Sequence, residues 1–294
     1  MDHDVIIIGG SYAGMSAALQ LARARRSVLI IDAGERRNRF ASASHGFLTQ
    51  DGVAPADIAG TARAQLMKYA TVQWRAESAW RAQRVDGGFL VETEAGVRHT
   101  AQRLVLATGV RDELPDVAGL AQRWGRHVFH CPYCHGYELD QGPLGVLATS
   151  ELSMHQALML PDWGPTTLFL NDVFEPDAAQ RDQLQARAVQ VAQGPVARLD
   201  GAADVVMQDG RVYALAGLFV ATRVRPGSLP AQLGCALEDG PMGPFVRTDA
   251  MKATTVPGLF ACGDVARPAG SVALAVGDGA MAGAATHRSL MFGL

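Results

Sequence analysis

Two cysteines separated by two residues, Cys131-Pro132-Tyr133-Cys134, are the part of this chain best suited to chemistry. Thiols at this spacing can close a disulfide, and they lower each other's pKa, so that one is thiolate near neutral pH. The same spacing is also half of a zinc site, which needs further ligands. Cys235 and Cys262 are isolated, and His130 and His135 lie too close in sequence to make a spread tetrahedral cage. No metal is expected, and the pair reads as a redox-active disulfide. His135 follows directly, and Glu138 comes three residues later. A histidine can take a proton from an incoming thiol at neutral pH and can stabilise a thiolate when charged. Glu138 could serve instead or orient His135; both could also be ordinary solvated loop residues.

The elements that must position such a pair begin at the first residues. Val5-Ile6-Ile7-Ile8-Gly9 reads as a buried strand from its β-branched run. It breaks at Gly9-Gly10-Ser11-Tyr12-Ala13-Gly14 and resumes as a helix from Met15 to Ala24. A second strand, Ser27 to Ile31, ends at Asp32. Strand, glycine turn, helix, strand and acid form an ADP-binding unit: backbone N–H groups reach a pyrophosphate at the helix N-terminus, and the acid accepts from ribose hydroxyls. The candidate contacts are Gly9, Ser11, Ala13, Gly14 and Asp32. Ser11 stands where a second glycine is usual; it is a mild replacement, and its hydroxyl could itself meet a phosphate. Leu104-Val105-Leu106-Ala107-Thr108-Gly109 is another buried strand ending in a turn. Gly258-Leu259-Phe260-Ala261-Cys262-Gly263-Asp264 delivers an aspartate just before a helix that begins near Ser271-Val272-Ala273.

With 294 residues and 48% hydrophobic residues, the chain is long enough for two α/β domains. A net charge of −3 and dispersed arginines give no reason to expect nucleic acid. The opening Met1-Asp2-His3-Asp4 offers no basic targeting region, and no apolar run is long enough to span a bilayer. A cytoplasmic protein without a membrane partner is the expectation, and there a C-x-x-C is more often catalytic than structural.

The glycine turn, Thr108-Gly109, Gly263-Asp264 and the helix after Ser271 together resemble the FAD-binding set of two-dinucleotide-domain flavoprotein reductases. With Leu114-Pro115 and Cys131-Pro132-Tyr133-Cys134-His135-Gly136-Tyr137-Glu138, the resemblance narrows to low-molecular-weight thioredoxin reductases and covers nearly the whole chain. It implies an α/β fold of two Rossmann-like domains, the second inserted in the first. Residues 1–116 and 243–294 would bind FAD, and 117–242 would form an NAD(P)H-binding-like domain carrying the cysteines. It further implies that Asp264 holds the ribityl chain. The helix N-terminus at Ser271 and Val272 would face the flavin N1–C2 edge, favouring anionic reduced flavin. By the same resemblance Cys131 exchanges with the substrate, Cys134 faces the flavin, and the protein is a homodimer. The family carries an acid directly after the second cysteine; here His135 takes that place.

The NADPH signature of the family is missing. The strand Leu144-Gly145-Val146-Leu147-Ala148 runs into Thr149-Ser150-Glu151, without a glycine and with an acid where a pyrophosphate would sit. The strand Thr167-Leu168-Phe169-Leu170 ends in Asn171-Asp172 rather than arginines, while Leu218-Phe219-Val220-Ala221-Thr222 still reads as a core strand. NADPH binding is therefore doubtful. In these respects the chain resembles the dithiol oxidases that close disulfides in gliotoxin- and holomycin-type natural products. The expected activity is FAD-dependent oxidation of a dithiol, with oxygen as acceptor. Other readings are a thioredoxin-disulfide reductase using NADPH or a protein donor such as ferredoxin, and a non-enzymatic flavin and disulfide sensor. The thiol partner could be a small molecule, a peptide or a thioredoxin-like protein. Cys235 and Cys262 read as structural; His45 could approach a flavin from a loop, although a satisfied loop histidine is the plainer reading.

Overall fold

The computed structural model describes residues 1–293, which divide into two compact units. The first comprises Met1–Arg39, Pro55–Arg111 and Val224–Leu294. Its central strand, His3–Ile8, lies parallel to Val28–Ile31 on one side and to Arg98–Leu106 on the other. Val72–Arg75 extends the sheet beyond Val28–Ile31, and Leu259–Ala261 pairs with the end of Arg98–Leu106. The hairpin Ala79–Val85/Gly88–Thr93 joins antiparallel to the start of that long strand. Val5, Ile6 and Ile7 are wholly buried, which is why the run carries no alternating polar residues. Each such side chain stabilises the fold by ~1.5–3 kcal/mol.

Two helices cover this sheet, Tyr12–Arg23 and Val272–Phe292, and they approach closely. A side chain at Gly279 would strike the Ala13 carbonyl, and one at Gly283 the Ala17 carbonyl. The small-residue stripe in both helices is therefore a packing requirement, which sets the spot where each helix begins.

The second unit comprises Phe40–Ala54 and Asp112–Arg223. Its sheet is wholly parallel, in the order Gln190–Ala192, Thr166–Phe169, Leu144–Leu147, Gly217–Val220, Val128–Phe129. All four residues of each of the three central strands are buried. A three-stranded antiparallel sheet, Val196–Asp200, Asp204–Met207 and Val212–Tyr213, packs its own apolar face into the same core. The helix Ala178–Ala186 starts at a complete capping box between Asp177 and Gln180.

Two α/β units with Rossmann-type sheets, the second inserted in the first, are thus present. The sequence boundaries need adjusting. The chain leaves the first unit at Arg111 and returns at Val224, not at 116 and 242, and it makes an earlier excursion over 40–54 that sequence reading had assigned to the first domain. Turn signals mark where strands end; they do not say with which sheet a loop packs.

Candidate active site

Cys131 and Cys134 form a disulfide in the second unit, with Cα atoms 5.3 Å apart. Cys131 is extended and precedes the single-turn helix Pro132–His135, where Pro132 at the first position has no N–H to leave unpaired. The turn closes through Cys134 N–H to the Cys131 carbonyl (3.2 Å) and Gly136 N–H to the Pro132 carbonyl (2.7 Å). Gly136 is needed here: a Cβ would lie 2.7 Å from the Trp163 ring and 2.8 Å from the Pro132 carbonyl. Tyr133 stands edge-on to the same indole, 5.3 Å between centroids.

His135 stacks on Phe129, with ring centroids 4.4 Å apart and planes 21° apart. Burial, and then the charge of His45, push its pKa down from 6.5 to about 4. It is therefore neutral at pH 7. Of the two roles open to it from sequence, a proton acceptor fits this state and a standing cation beside a thiolate does not.

Glu138 is partly exposed, and its carboxylate lies 3.4 Å from His45 Nδ1. The same nitrogen lies 3.6 Å from Asp51. His45 is presented by a tight loop: Ser44 N–H bonds the Val53 carbonyl, Gly52 N–H bonds the Ser44 carbonyl, and Gly46 N–H bonds Asp51 Oδ1 at 2.8 Å. The structure thus brings Glu138 and His45 into contact, in the same unit as His135. Sequence reading missed the partnership of His45 with Glu138, because nothing in local spacing links residues so far apart in the chain.

In the first unit, the glycines of the opening turn are held by backbone contacts. Gly9 has φ +102°, and a Cβ there or at Gly14 would collide with the carbonyls of Ala107 and Gly9, respectively. Gly10 N–H donates to Asp32 Oδ1 at 2.9 Å, and the Trp74 indole fills the space a Gly10 side chain would take. Ser11 caps the Tyr12–Arg23 helix by backbone position only; its hydroxyl makes no capping bond, and no acid occupies the first turn. That leaves the positive end of the helix uncompensated, as an anionic pyrophosphate needs. The Thr108 hydroxyl is buried with no hydrogen-bond partner among the described residues, a group a ligand can satisfy. Gly109 and Gly263 both take positive φ, and Gly263 packs close on the buried Ala13. Asp264 pairs with Arg37 at 2.8 Å and sits beneath Gly270, where any side chain would strike its carboxylate. Ser271 caps the last helix through Leu274 N–H (3.2 Å), and Val272 opens it with no acid in the first turn. These residues fit FAD. Arg37 is the member sequence reading missed; no spacing rule links it to Asp264.

The corresponding turn of the second unit is used internally. Thr149 N–H donates to Ser153 Oγ (3.1 Å) and the Thr149 hydroxyl to the Ala221 carbonyl (2.7 Å). Asn171 Oδ1 accepts from Val196 N–H at 2.8 Å, while Glu151 and Asp172 point to solvent as exposed acids. Cys262 is fully buried, its thiol pushed up to about 12 by burial and by Asp278, so it takes no part in thiol exchange. The described residues contain no group of three His, Cys, Asp or Glu that could hold a metal ion. None of their helices is long and apolar enough to cross a membrane.

This arrangement has close counterparts. The protein named thioredoxin reductase tcpT, from Claviceps purpurea, is 31% identical over 98% of this chain and 94% of its own. The crystal structure of an oxidoreductase from Agrobacterium tumefaciens superposes with a TM-score of 0.97 and 61% identity, covering 99% of both chains. That of HlmI gives 0.91 and 37%, covering 98% of this chain and 92% of the other. The profile of the pyridine nucleotide-disulphide oxidoreductases matches residues 3–279. With that profile matching most of the chain and a relative 31% identical along nearly its whole length, the chain belongs to the pyridine nucleotide-disulphide oxidoreductases and is a thioredoxin reductase-like enzyme.

Proposed function

We propose that this enzyme is an FAD-dependent dithiol oxidase. Its Cys131–Cys134 disulfide takes electrons from a substrate dithiol, and oxygen is the final acceptor. The observation that carries the reading is the Thr149 turn. The N–H that a nucleotide phosphate would need is already spent on Ser153, and the hydroxyl on Ala221. Exposed Glu151 adds a screened repulsion, a smaller obstacle than the missing donor.

One substrate thiol gives its proton to neutral His135 and attacks Cys131, forming a mixed disulfide and releasing the Cys134 sulfur as thiolate. The second substrate thiol, also deprotonated, attacks the substrate sulfur of that mixed disulfide and releases Cys131. The substrate leaves with a new S–S bond, having lost two electrons and two protons, and the cysteine pair holds both electrons. FAD, when bound, carries the electron pair from the cysteines to oxygen. Gly9, Ser11, Ala13, Gly14 and Asp32 would hold its ADP part. Thr108, Gly109, Gly263, Asp264, Ser271 and Val272 would hold the flavin part. A cytoplasmic homodimer acting on a small dithiol or peptide belongs to the same proposal. The family's membership in nicotinamide chemistry favours, as a second reading, NADPH-dependent reduction of a thioredoxin-like protein.

Anaerobic mixing separates the two. A simple dithiol is expected to bleach the flavin absorbance, air to restore it with hydrogen peroxide formed, and NADPH or NADH to leave it unchanged. Fast bleaching by NADPH would return the protein to the reductases. Bleaching by dithiol with very slow recovery in air would favour a protein electron carrier over oxygen.

The flavin site has its own test. Asp264→Ala removes a carboxylate and leaves Arg37 without this partner. It is expected to lower FAD affinity by tenfold or more, roughly the loss of one charge-assisted hydrogen bond. Flavin-to-protein absorbance ratios after gel filtration and fluorescence titration with added FAD read this directly. A ratio equal to that of the unaltered protein removes Asp264 from the site.

A further inference from the structure

Glu77 carries a buried carboxylate oxygen, Oε2, with no hydrogen-bond partner among the described residues. An ionised carboxylate only accepts, so an orphaned oxygen of this kind costs stability until something brings an N–H to it. Its place in the first unit follows from the strand before it. Val72–Arg75 is the last strand on its side of the sheet and lies next to Val28–Ile31. The two are tied at their ends, where Asp32 N–H donates to the Arg75 carbonyl at 3.0 Å. Glu77 comes two residues later, in a short turn that Glu94 N–H holds through the Ser78 carbonyl at 2.9 Å. Trp74, the neighbour of Arg75, borders the same spot as Asp32: a side chain at Gly10 would run into both. The Arg63 guanidinium, from the helix Pro55–Leu66, lies over the Trp74 indole, 4.4 Å from the ring centroid.

These residues frame the adenosine end of a dinucleotide. The pyrophosphate belongs at the N-terminus of Tyr12–Arg23 and the ribose hydroxyls at Asp32. A base carried beyond that ribose continues toward the edge strand, where Trp74 and Glu77 stand. Resting on the FAD reading, we propose that Trp74 and Glu77 form the adenine subsite of the cofactor. The indole packs against the base, and Glu77 Oε2 accepts a hydrogen bond from its exocyclic amine. Arg63 is the positioning group that holds the indole. An acid at this point selects the base as well as holding it. Adenine offers an amine at C6, whereas guanine and hypoxanthine offer a carbonyl oxygen there, which a carboxylate repels. The subsite governs which dinucleotide is retained, and it takes no part in the thiol chemistry.

The test is calorimetric titration of the full-length protein, stripped of flavin, with ADP and with IDP, which differ only along the N1–C6 edge of the base. The unaltered protein is expected to bind ADP about tenfold or more tightly than IDP, the worth of one hydrogen bond to a charged group. Glu77→Gln is expected to cut that preference to about threefold or less, because an amide can turn and donate to the carbonyl oxygen. Trp74→Leu is expected to weaken ADP and IDP alike by about tenfold, leaving their ratio unchanged. A general loosening of the fold would not move that ratio, so the two variants separate recognition from structure. Circular dichroism shows whether each is folded; Glu77→Ser and Trp74→Met replace any that is not. Equal binding of ADP and IDP by the unaltered protein, a preference that survives Glu77→Gln, or undiminished affinity in Trp74→Leu overturns the adenine subsite and leaves FAD binding standing. An unaltered protein that takes up no FAD overturns the flavin reading and the subsite with it.

Discussion

Replacing either cysteine by serine is expected to stop dithiol turnover, by roughly 10⁴-fold or more, as for other enzymes that lose one member of a covalent relay. The two variants should nevertheless differ. With Cys134→Ser, Cys131 remains as the exchanging thiol and should displace one equivalent of coloured thiolate from an aromatic disulfide. With Cys131→Ser, the remaining thiol should react much more slowly. Both cysteines are half-buried, so the difference tests the roles drawn from the resemblance rather than a gross difference in burial. Faster labelling of the Cys131→Ser variant would exchange the roles of the two cysteines. Turnover persisting in both variants would move the chemistry away from the disulfide altogether.

His135→Ala carries the next largest effect. Loss of a general base costs at least about a hundredfold, so the thiol half-reaction at pH 7 should slow by that order with little change in flavin content. The pH dependence gives the sharper reading. Because burial and His45 hold the pKa of His135 at about 4, the base form predominates throughout the range above it. The acid limb of the rate should lie near pH 4 rather than near 6.5. The same shift has a stability consequence with a defined sign. Between pH 6.5 and about 4 the unfolded chain binds a proton at this position and the folded chain does not. Stability is therefore intact above pH 6.5 and falls by about 3 kcal/mol as pH drops through 4. Urea midpoints over that range should fall less steeply for His135→Ala than for the unaltered protein. An acid limb near 6.5, or a rate unchanged by His135→Ala, would pass the role of base to Glu138 or to solvent.

Much of this was written locally in the chain. Val5–Ile8, Val28–Ile31 and Leu144–Leu147 are continuous apolar runs because both faces of a parallel sheet are covered, and each lies where its run predicts. The opening turn was legible because Gly9 and Gly14 meet backbone that excludes any side chain. The helix expected from Met15 to Ala24 begins earlier, at Tyr12, because turn residues Tyr12 to Gly14 already form its first turn. The hairpin Ala79–Val85/Gly88–Thr93 and the small antiparallel sheet after Val196 were not anticipated. Their short, mixed patterns resemble those of exposed loops. Arg37 with Asp264 and His45 with Glu138 are pairs made by folding. No periodicity within either segment encodes its distant partner, so only the folded chain reveals them.

The excursion of residues 40–54 also bears on how the protein is made. Those residues leave the ribosome well before residues 112–223, the rest of the unit to which they belong. At 5–20 residues per second, the wait for the last strand of that unit is roughly 10–30 s. The cysteine unit is thus assembled around a segment already synthesised, and an expressed fragment of residues 112–223 would lack His45 however well its sheet formed.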